Sequence, residues 1–344
     1  MSLSPVFLKN NVVIFTAASE YYSPYLGVLL QSVIENSTET NNYDIIVLED
    51  NITEFTKNEL KDVLKNRPNY SMRFFDVSSL LSQYSFNGPK YNSKLTLARL
   101  LIPEVMISSD KVLWIDCDTV TNRDLADLFM INIDDYLLAA TRDYINLLWD
   151  SPSGWSLNEM QKQLKIDPGD YFNCGVMLLN LQKLRQSFST KDLLKAASNR
   201  KYRFPDQDAL NHLCNNSVYY LPPEWNVTDI PFHFPDMPTG IYKRTFAACE
   251  NPFVVHYIGP VKPADNLARP LAKYFWKYAR NTLFYEVLLD RAMRTYINDS
   301  KNIYKKIRKK IIIPFVNFVF PKYSKRRGVL KTVICAVKRR RKLS

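Results

Sequence analysis

What this 344-residue chain lacks bounds what it can be. Its five cysteines, at 117, 174, 214, 249 and 335, include no CxxC pair and no other metal-ligand spacing, which excludes a cysteine-built metal site. An odd, dispersed set with no secretory leader ahead of it is expected to stay reduced in a cytoplasm. No apolar run approaches the ~18–20 residues of a membrane span. The longest candidate, IIIPFVNFVF, is short and broken by Pro314. There is no internal repeat, and glycine is scarce at 8. Acid is missing altogether from the last stretch: from Lys301 onward sixteen Lys and Arg meet no Asp or Glu. Setting those sixteen aside turns the net charge of +12 into −4. The basicity therefore belongs to a tail, and the body is mildly acidic with no recognisable nucleic-acid module.

What remains is an ordinary globular composition, 46% hydrophobic and 23% charged, with abundant aromatics (21 Tyr, 19 Phe, 5 Trp). NVVIFTA (11–17) reads as a buried strand. SPYLGVLLQSVIEN follows with helical spacing, Leu26, Leu29, Leu30, Val33 and Ile34 making its apolar face. YDIIVLED is a second strand, TEFTKNELKDVLKN a helix capped by Thr53, and SMRFFDV a third strand. This alternation implies right-handed crossovers and a mostly parallel sheet. SKLTLARLLIPEV is expected to be a helix ended by Pro103. Further strands are expected at 136–143 and 171–181, a helix at DQDALNHLC, and a strand running into a Pro/Gly turn at NPFVVHYIGPVKP.

The chemistry concentrates in KVLWIDCDTV (111–120). An apolar strand runs straight into Asp116 and Asp118. In an extended chain, residues two apart point to one side, so both carboxylates face one spot beyond the strand's carboxyl end. That edge is where α/β sheets bind ligands. Two such carboxylates repel unless a cation or proton lies between them, and a hard divalent ion with phosphate as co-ligand suits them. Acids also end strands and cap helices, and the following DCDTVTNRDLADLF offers capping candidates such as Thr121.

Four motifs stand in order: FTAASEYYSPYLGV, WIDCDTV, YFNCGVMLLNL followed by DQDAL, and VVHYIGPVKP. Together they resemble glycosyltransferase family 8, the retaining, metal-dependent nucleotide-sugar transferases, and within it the bacterial lipopolysaccharide and capsule galactosyl- and glucosyltransferases. The resemblance covers about 11–289. It implies an α/β GT-A fold, Rossmann-like, with helices on both faces of a mostly parallel sheet. It implies a division into a transferase domain (1–265), a helical extension (266–300) and a basic tail (301–344). It implies a UDP-hexose donor, a saccharide acceptor that is lipid-linked, and Mn²⁺ or Mg²⁺ held by Asp116, Asp118 and His256. Ala17, Ser19, Tyr22, Arg99, Asp116, Asp143, Asn173, Gly259 and Lys262 then fall on the donor, with Gly175 permitting close approach. Gln207 falls under the reacting anomeric carbon, with Asp206 beside it as the second catalytic position. Read without the family, His256 is equally a buried strand histidine, Arg99 a solvent-facing helix charge, NCG a strand bulge, and Asp206 a helix cap.

The chain departs from the family at several points. Ser19 and Tyr21 stand where Asp and Asn are common, Tyr91 where a related type has His, and Ala264 where an aromatic follows Lys-Pro. WIDCDTV also fits the nucleophile motif of haloacid dehalogenase-like phosphatases. That family wants the motif on its first strand with a later Gly-Asp-x-x-x-Asp pair, and neither holds here. A degenerate, non-catalytic binding module is the third reading, supported by Ser19 and Tyr21. In the tail, Ile303, Ile307 and Ile311, and Val329, Val333 and Val337, recur every four residues. They describe amphipathic basic helices of the kind that lie in a membrane interface. The expected location is the inner face of a bacterial plasma membrane, attached peripherally, with no nucleic-acid partner.

Overall fold

The computed structural model describes residues 3–82, 94–144, 157–199, 201–229, 232, 239–307 and 310. Tyr91, the stretch IIIPFVNFVF and the apolar stripes of the tail lie outside the described residues and side chains. The chain divides into two compact units, 1–289 and 290–344. Among the described residues no helix is long and apolar enough to cross a membrane.

The first unit is built on a seven-stranded sheet. Its strands are β1 (Asn11–Ser19), β2 (Asn42–Asp50), β3 (Tyr70–Asp76), β4 (Lys111–Ile115), β6 (Leu138–Arg142), β7 (Phe172–Asn180) and β8 (Val218–Tyr220). A two-stranded sheet pairs β5 (Thr119–Thr121) with β9 (Val254–His256). The large sheet runs β3-β2-β1-β4-β7-β6-β8. The pairs β2–β3, β1–β2, β1–β4 and β6–β8 are parallel, and β4–β7 and β6–β7 antiparallel. The mostly parallel sheet expected from the alternation is present.

Both faces of the sheet are covered, and the strand period of two shows it. Val12 and Ile14, Ile45 and Val47, and Leu113 and Ile115 enter one apolar cluster. Val13 and Phe15, Ile46 and Leu48, and Val112 and Trp114 enter the other. The helix Ser23–Asn36 lays Leu26, Leu29, Leu30, Val33 and Ile34 on the first face, all buried. Thr53 caps the helix Glu54–Val63 by accepting from Thr56 N at 3.3 Å. Two expectations fail locally. Pro103 begins a short α-helix, Ile102–Val105, that follows a 3-10 helix, Lys94–Leu101. A proline has no N–H to lose in a first turn, so there it starts rather than stops. The helix Leu125–Phe129 is capped by Asp124, not Thr121.

Chain order and space order part company at β1. From β1 the chain goes out to β2 and β3 on one side, then returns to place β4 on the other. That reversal opens a crevice beyond the carboxyl ends of β1 and β4. It sets the exit of β1 (Ala17, Ser19, Tyr22) beside the exit of β4 (Asp116, Asp118).

One buried charge in the sheet gives a direct test of this packing. Asp44, fully buried on β2, accepts from Val6 N at 3.1 Å and pairs with Arg73 on β3 at 2.6 Å, whose side chain is 25% exposed. Arg73→Met is expected to lower stability by about 2–3 kcal/mol, somewhat under the ~3–5 of a fully buried pair because Arg73 is partly wet. Adding Asp44→Asn should recover most of the loss. Urea midpoints of the four proteins in the cycle measure both.

Candidate metal and donor site

At the end of β4 the pairing with β7 continues one residue further, Asp116 N donating to Gly175 O at 2.8 Å. The chain then turns. Residues 117 and 118 form a turn, and Thr119 Oγ1 donates back to Asp116 O at 2.8 Å. The two carboxylates therefore converge because the chain bends between them, not through the extended pleat that the sequence suggested. Cys117 between them goes into the first apolar cluster. Burial raises its thiol's pKa well above the ordinary range.

The third partner arrives through the small sheet. Pairing of β5 with β9 sets Thr119 opposite His256. His256 Nε2 then lies 3.6 Å from Asp116 Oδ2 and 3.3 Å from Asp118 Oδ1. Neighbouring ligands of an ion bound at ~2.1 Å sit about 3 Å apart, so the spacing suits one cation. Ligand atoms of the three residues all fall within 4.8 Å of one another. Each carboxylate divides its work. Asp116 Oδ1 is held by Arg99 (3.0 Å) and Trp114 Nε1 (2.8 Å), leaving Oδ2 toward the histidine. Asp118 Oδ2 is held by Lys262, leaving Oδ1 toward the histidine.

A chain of hydrogen bonds orients the imidazole, and its first donor is a backbone group whose role is not in question. Gly175 N donates to Asn173 Oδ1 at 2.8 Å, which fixes that amide's orientation. Asn226 meets the same oxygen at 2.8 Å and must present its Nδ2 to it. Asn226 Oδ1 then faces His256 Nδ1 at 3.0 Å and must accept from it. The Nδ1 proton is thereby placed, and Nε2 turns either a second proton or a lone pair toward two carboxylate oxygens. A divalent cation satisfies the second arrangement, and the donor set of two carboxylates and one imidazole fits such an ion. Gly175 cannot be larger, since a Cβ there would overlap the His256 ring.

Each of the two ligand carboxylates has a buried cation beside it. Burial raises the pKa of Asp116, and Arg99 and His256 offset this only in part. Burial also acts to raise Asp118, but Lys262 and His256 overcome it and hold that carboxyl far below its usual range. Arg99 is buried, contrary to its reading as a solvent-facing helix charge. It pairs with Asp116 at 3.0 Å and Asp206 at 3.1 Å, donates to Cys174 O at 2.6 Å, and lies over the Trp114 ring. Burial favours its neutral form, yet Asp116 and Asp206 outweigh that and keep it charged.

The second half of the site hangs on the helix Pro205–Leu213. Asp206 does not cap it; the N-cap is Phe204, with no side-chain bond. Asp208 reaches back instead, accepting from Arg203 N (2.7 Å) and Phe204 N (3.0 Å) and from Tyr171 Oη (2.7 Å). Gln207 accepts from Cys174 N at 3.0 Å and donates to Asp143 at 3.2 Å and to Tyr171 Oη at 3.0 Å. Asn173 Nδ2 donates to Asp143 at 3.1 Å. Burial and the Asp208 charge raise the Tyr171 pKa well above its ordinary value, so its hydroxyl stays a donor. The strand irregularity expected at NCG appears in the β6–β7 register, between Ala140 and Arg142.

The remaining candidates line the approach. Ala17 and Ser19 end β1, Ser19 O accepting from Ser23 Oγ at 3.1 Å. The Tyr22 ring lies 5.7 Å from Lys262 Nζ, with the exposed Tyr21 edge-on to it. Gly259 takes φ +80°, a left-handed turn open to glycine. The turn is clamped by Arg269, which pairs with Asp229 through two nitrogens (2.7 and 3.2 Å) and donates to Val261 O and to Ile258 O (2.8 Å). Ala264 is fully buried in the first cluster. The structure thus joins Arg99, Asp116, Asp118, Asp143, Asn173, Asp206, Gln207, His256 and Lys262 in one network, with Tyr22 beside it. Ala17, Ser19 and Gly259 enter as backbone positions. Sequence reading missed Trp114, Tyr171, Asp208, Asn226 and Arg269. Only Asp208 carried a local signal, an acid in the first helical turn.

Comparison with known proteins agrees with this geometry. The family model described as glycosyl transferase family 8 matches residues 13–267. A Haemophilus influenzae protein named as a glycosyltransferase is 30% identical over 257 residues, which is 72% of this chain and 72% of that protein. The lipopolysaccharide 1,2-glucosyltransferase of Escherichia coli K12 is 28% identical over 173 residues, 49% of this chain and 48% of its own length. The solved bifunctional glycosyltransferase WbbM superposes with a TM-score of 0.77 at 29% identity, over 85% of this chain and 53% of that one. The chain thus spans about half the length of the last two. The fold is GT-A.

The orienting role of Asn226 can be measured apart from turnover. Asn226→Ala should weaken Mn²⁺ binding about 10–100-fold, the usual effect of losing a ligand's hydrogen-bond partner. Titration followed by the Mn²⁺ paramagnetic resonance signal reads the affinity, with circular dichroism as the folding control. Unchanged affinity would mean that the relay does not orient His256.

Proposed function

The chain belongs to glycosyl transferase family 8, and from that membership we propose that it is a retaining, metal-dependent hexosyltransferase. It moves galactose or glucose from a UDP-sugar to a lipid-linked saccharide acceptor in lipopolysaccharide, lipooligosaccharide or capsule assembly. The observation that carries the reading is the His256 Nε2 aimed at one free oxygen from each of Asp116 and Asp118. Mn²⁺ fits this set better than Mg²⁺ because one donor is an imidazole nitrogen. When bound, such an ion neutralises the diphosphate and makes it a better leaving group.

The chain's own side chains do the rest. Arg99 keeps Asp116 and Asp206 in fixed orientation. Lys262, now paired with Asp118, supplies a cation to the departing phosphate. Asp143 and Asn173 hold sugar hydroxyls. Gln207, its amide fastened on both ends, is a fixed dipole beside the anomeric carbon rather than a free nucleophile. The sugar C1–O bond to the phosphate breaks as the acceptor hydroxyl oxygen bonds to C1 from the same face. The hydroxyl proton passes to the departing phosphate oxygen, and configuration is retained. Tyr22, with Tyr21 edge-on, flanks the nucleotide base where Ser19 replaces the family's acid.

The tail supports a membrane location. Sixteen Lys and Arg without an acid, at up to ~1 kcal/mol each near anionic lipid, dock the enzyme on the inner face of the plasma membrane beside its acceptor.

The test is nucleotide release from UDP-, GDP- and CMP-sugars in Mn²⁺, Mg²⁺ or EDTA, with Asp118→Asn alongside. One UDP-hexose is expected to turn over, with EDTA or Asp118→Asn lowering the rate at least a hundredfold, on the order of the loss of an electrostatic stabiliser. Release of phosphate from a simple phosphomonoester would favour the phosphohydrolase reading instead. Neither turnover nor calorimetric binding of any donor would leave only a binding module.

A further inference from the structure

A second cleft opens off the site. One depression is lined by Asp143, Asn173 and Asn226 of the network and by Thr245 of the helix Thr239–Glu250. Arg142, Tyr144 and Pro223 line both it and a neighbouring cleft of about 290 Å³. That volume lies near the lower end for small-molecule sites. The two are neighbours that share these three walls.

The walls of the outer cleft have one chemical character. Tyr144, Tyr219 and Tyr220, with Pro222 and Pro223, offer flat apolar surfaces edged with hydroxyls. Among the described residues its charged lining side chains are Arg142 and Arg244, and none is an acid. Arg142 is already committed: it lies 3.7 Å from the Tyr220 ring centroid, donates to Gly169 O at 3.0 Å and pairs with Asp170 at 3.0 Å. Its job is to hold Tyr220 in place as a platform. Arg244 is exposed, and among the described residues no ion pair neutralises it. A guanidinium that lines a cleft with tyrosines is suited to a carboxylate or phosphate.

We propose that this cleft is an acceptor subsite for a saccharide carrying an anionic group, phosphate or carboxylate, at a sugar beyond the one that is glycosylated. The tyrosines and prolines stack the sugar rings, and Arg244 takes the anion. The inference rests on the transferase reading for the word acceptor, and on the cleft alone for the anionic sugar.

Binding tests it without turnover. The full chain in EDTA, which keeps anions away from the carboxylate–histidine centre, is titrated by NMR with glucose, glucose 6-phosphate and glucuronate. Either anionic probe should bind about tenfold more tightly than glucose, the size of one charge-assisted hydrogen bond. Arg244→Gln, an exposed change that leaves the fold intact, should abolish the preference, and Arg244→Lys should keep part of it. Tighter glucose 6-phosphate points to a phosphorylated acceptor and tighter glucuronate to a uronic acid. Equal binding of all three probes, or a preference that survives Arg244→Gln, overturns the proposal. Because no donor is present, these results do not depend on transferase activity. Failure of sugar-nucleotide turnover with Arg244-dependent binding intact would remove only the word acceptor.

Discussion

Two carboxylates at the end of a buried central strand are the constraint around which this protein is arranged. Taken out of water side by side, Asp116 and Asp118 would repel each other and lose solvation. The protein answers by giving one oxygen of each a partner: Arg99 and Trp114 for Asp116, Lys262 for Asp118. Those partners come from three separate parts of the chain. Arg99 rides on the 3-10 helix, Trp114 on the strand itself, and Lys262 on a turn clamped by Arg269. Tertiary packing and charge compensation are therefore one arrangement seen twice.

The uncharged half of the site is ordered by direction rather than charge. Gly175 N, Asn173, Asn226 and His256 form a relay in which each donor decides the orientation of the next amide. Cys174 N does the same for Gln207, which then donates to Asp143 and Tyr171. Both relays begin at adjacent backbone N–H groups of β7. A backbone donor cannot flip, so the polarity of the whole pocket is set by a strand whose position the sheet already fixes. Glycine at 175 is what allows the imidazole to come close enough to take part.

Much of this was legible before any coordinates. The apolar runs of β1, β2 and β4, the five-residue face of the first helix and the Asp-x-Asp at a strand end are local patterns, and they appear as read. One misreading is local as well. Pro103 reads as a stop because proline breaks helices, but in a first turn it has nothing to break. Arg99 reads as a surface charge unless the family resemblance is used, because a sequence does not reveal that two acids and an indole surround it. Asp206 reads as a cap without the family, because the reach of Asp208, two residues on, depends on how the chain enters the helix.

The sequence by itself determined the strand and helix periods, the mildly acidic body against the basic tail, and the ordered motifs that place the chain in its family. These are properties of residue type and spacing along the chain. Only the tertiary structure decided that Asp116 and Asp118 meet across a turn, that Asn226 assigns the His256 proton, and that Arg244 stands at the mouth of a tyrosine-lined cleft. The first is a local bend that spacing alone does not reveal, and the other two bring together groups far apart in sequence. Those long-range meetings are set by the parallel pairing of β1 with β4, the pairing of β5 with β9, and the packing around them.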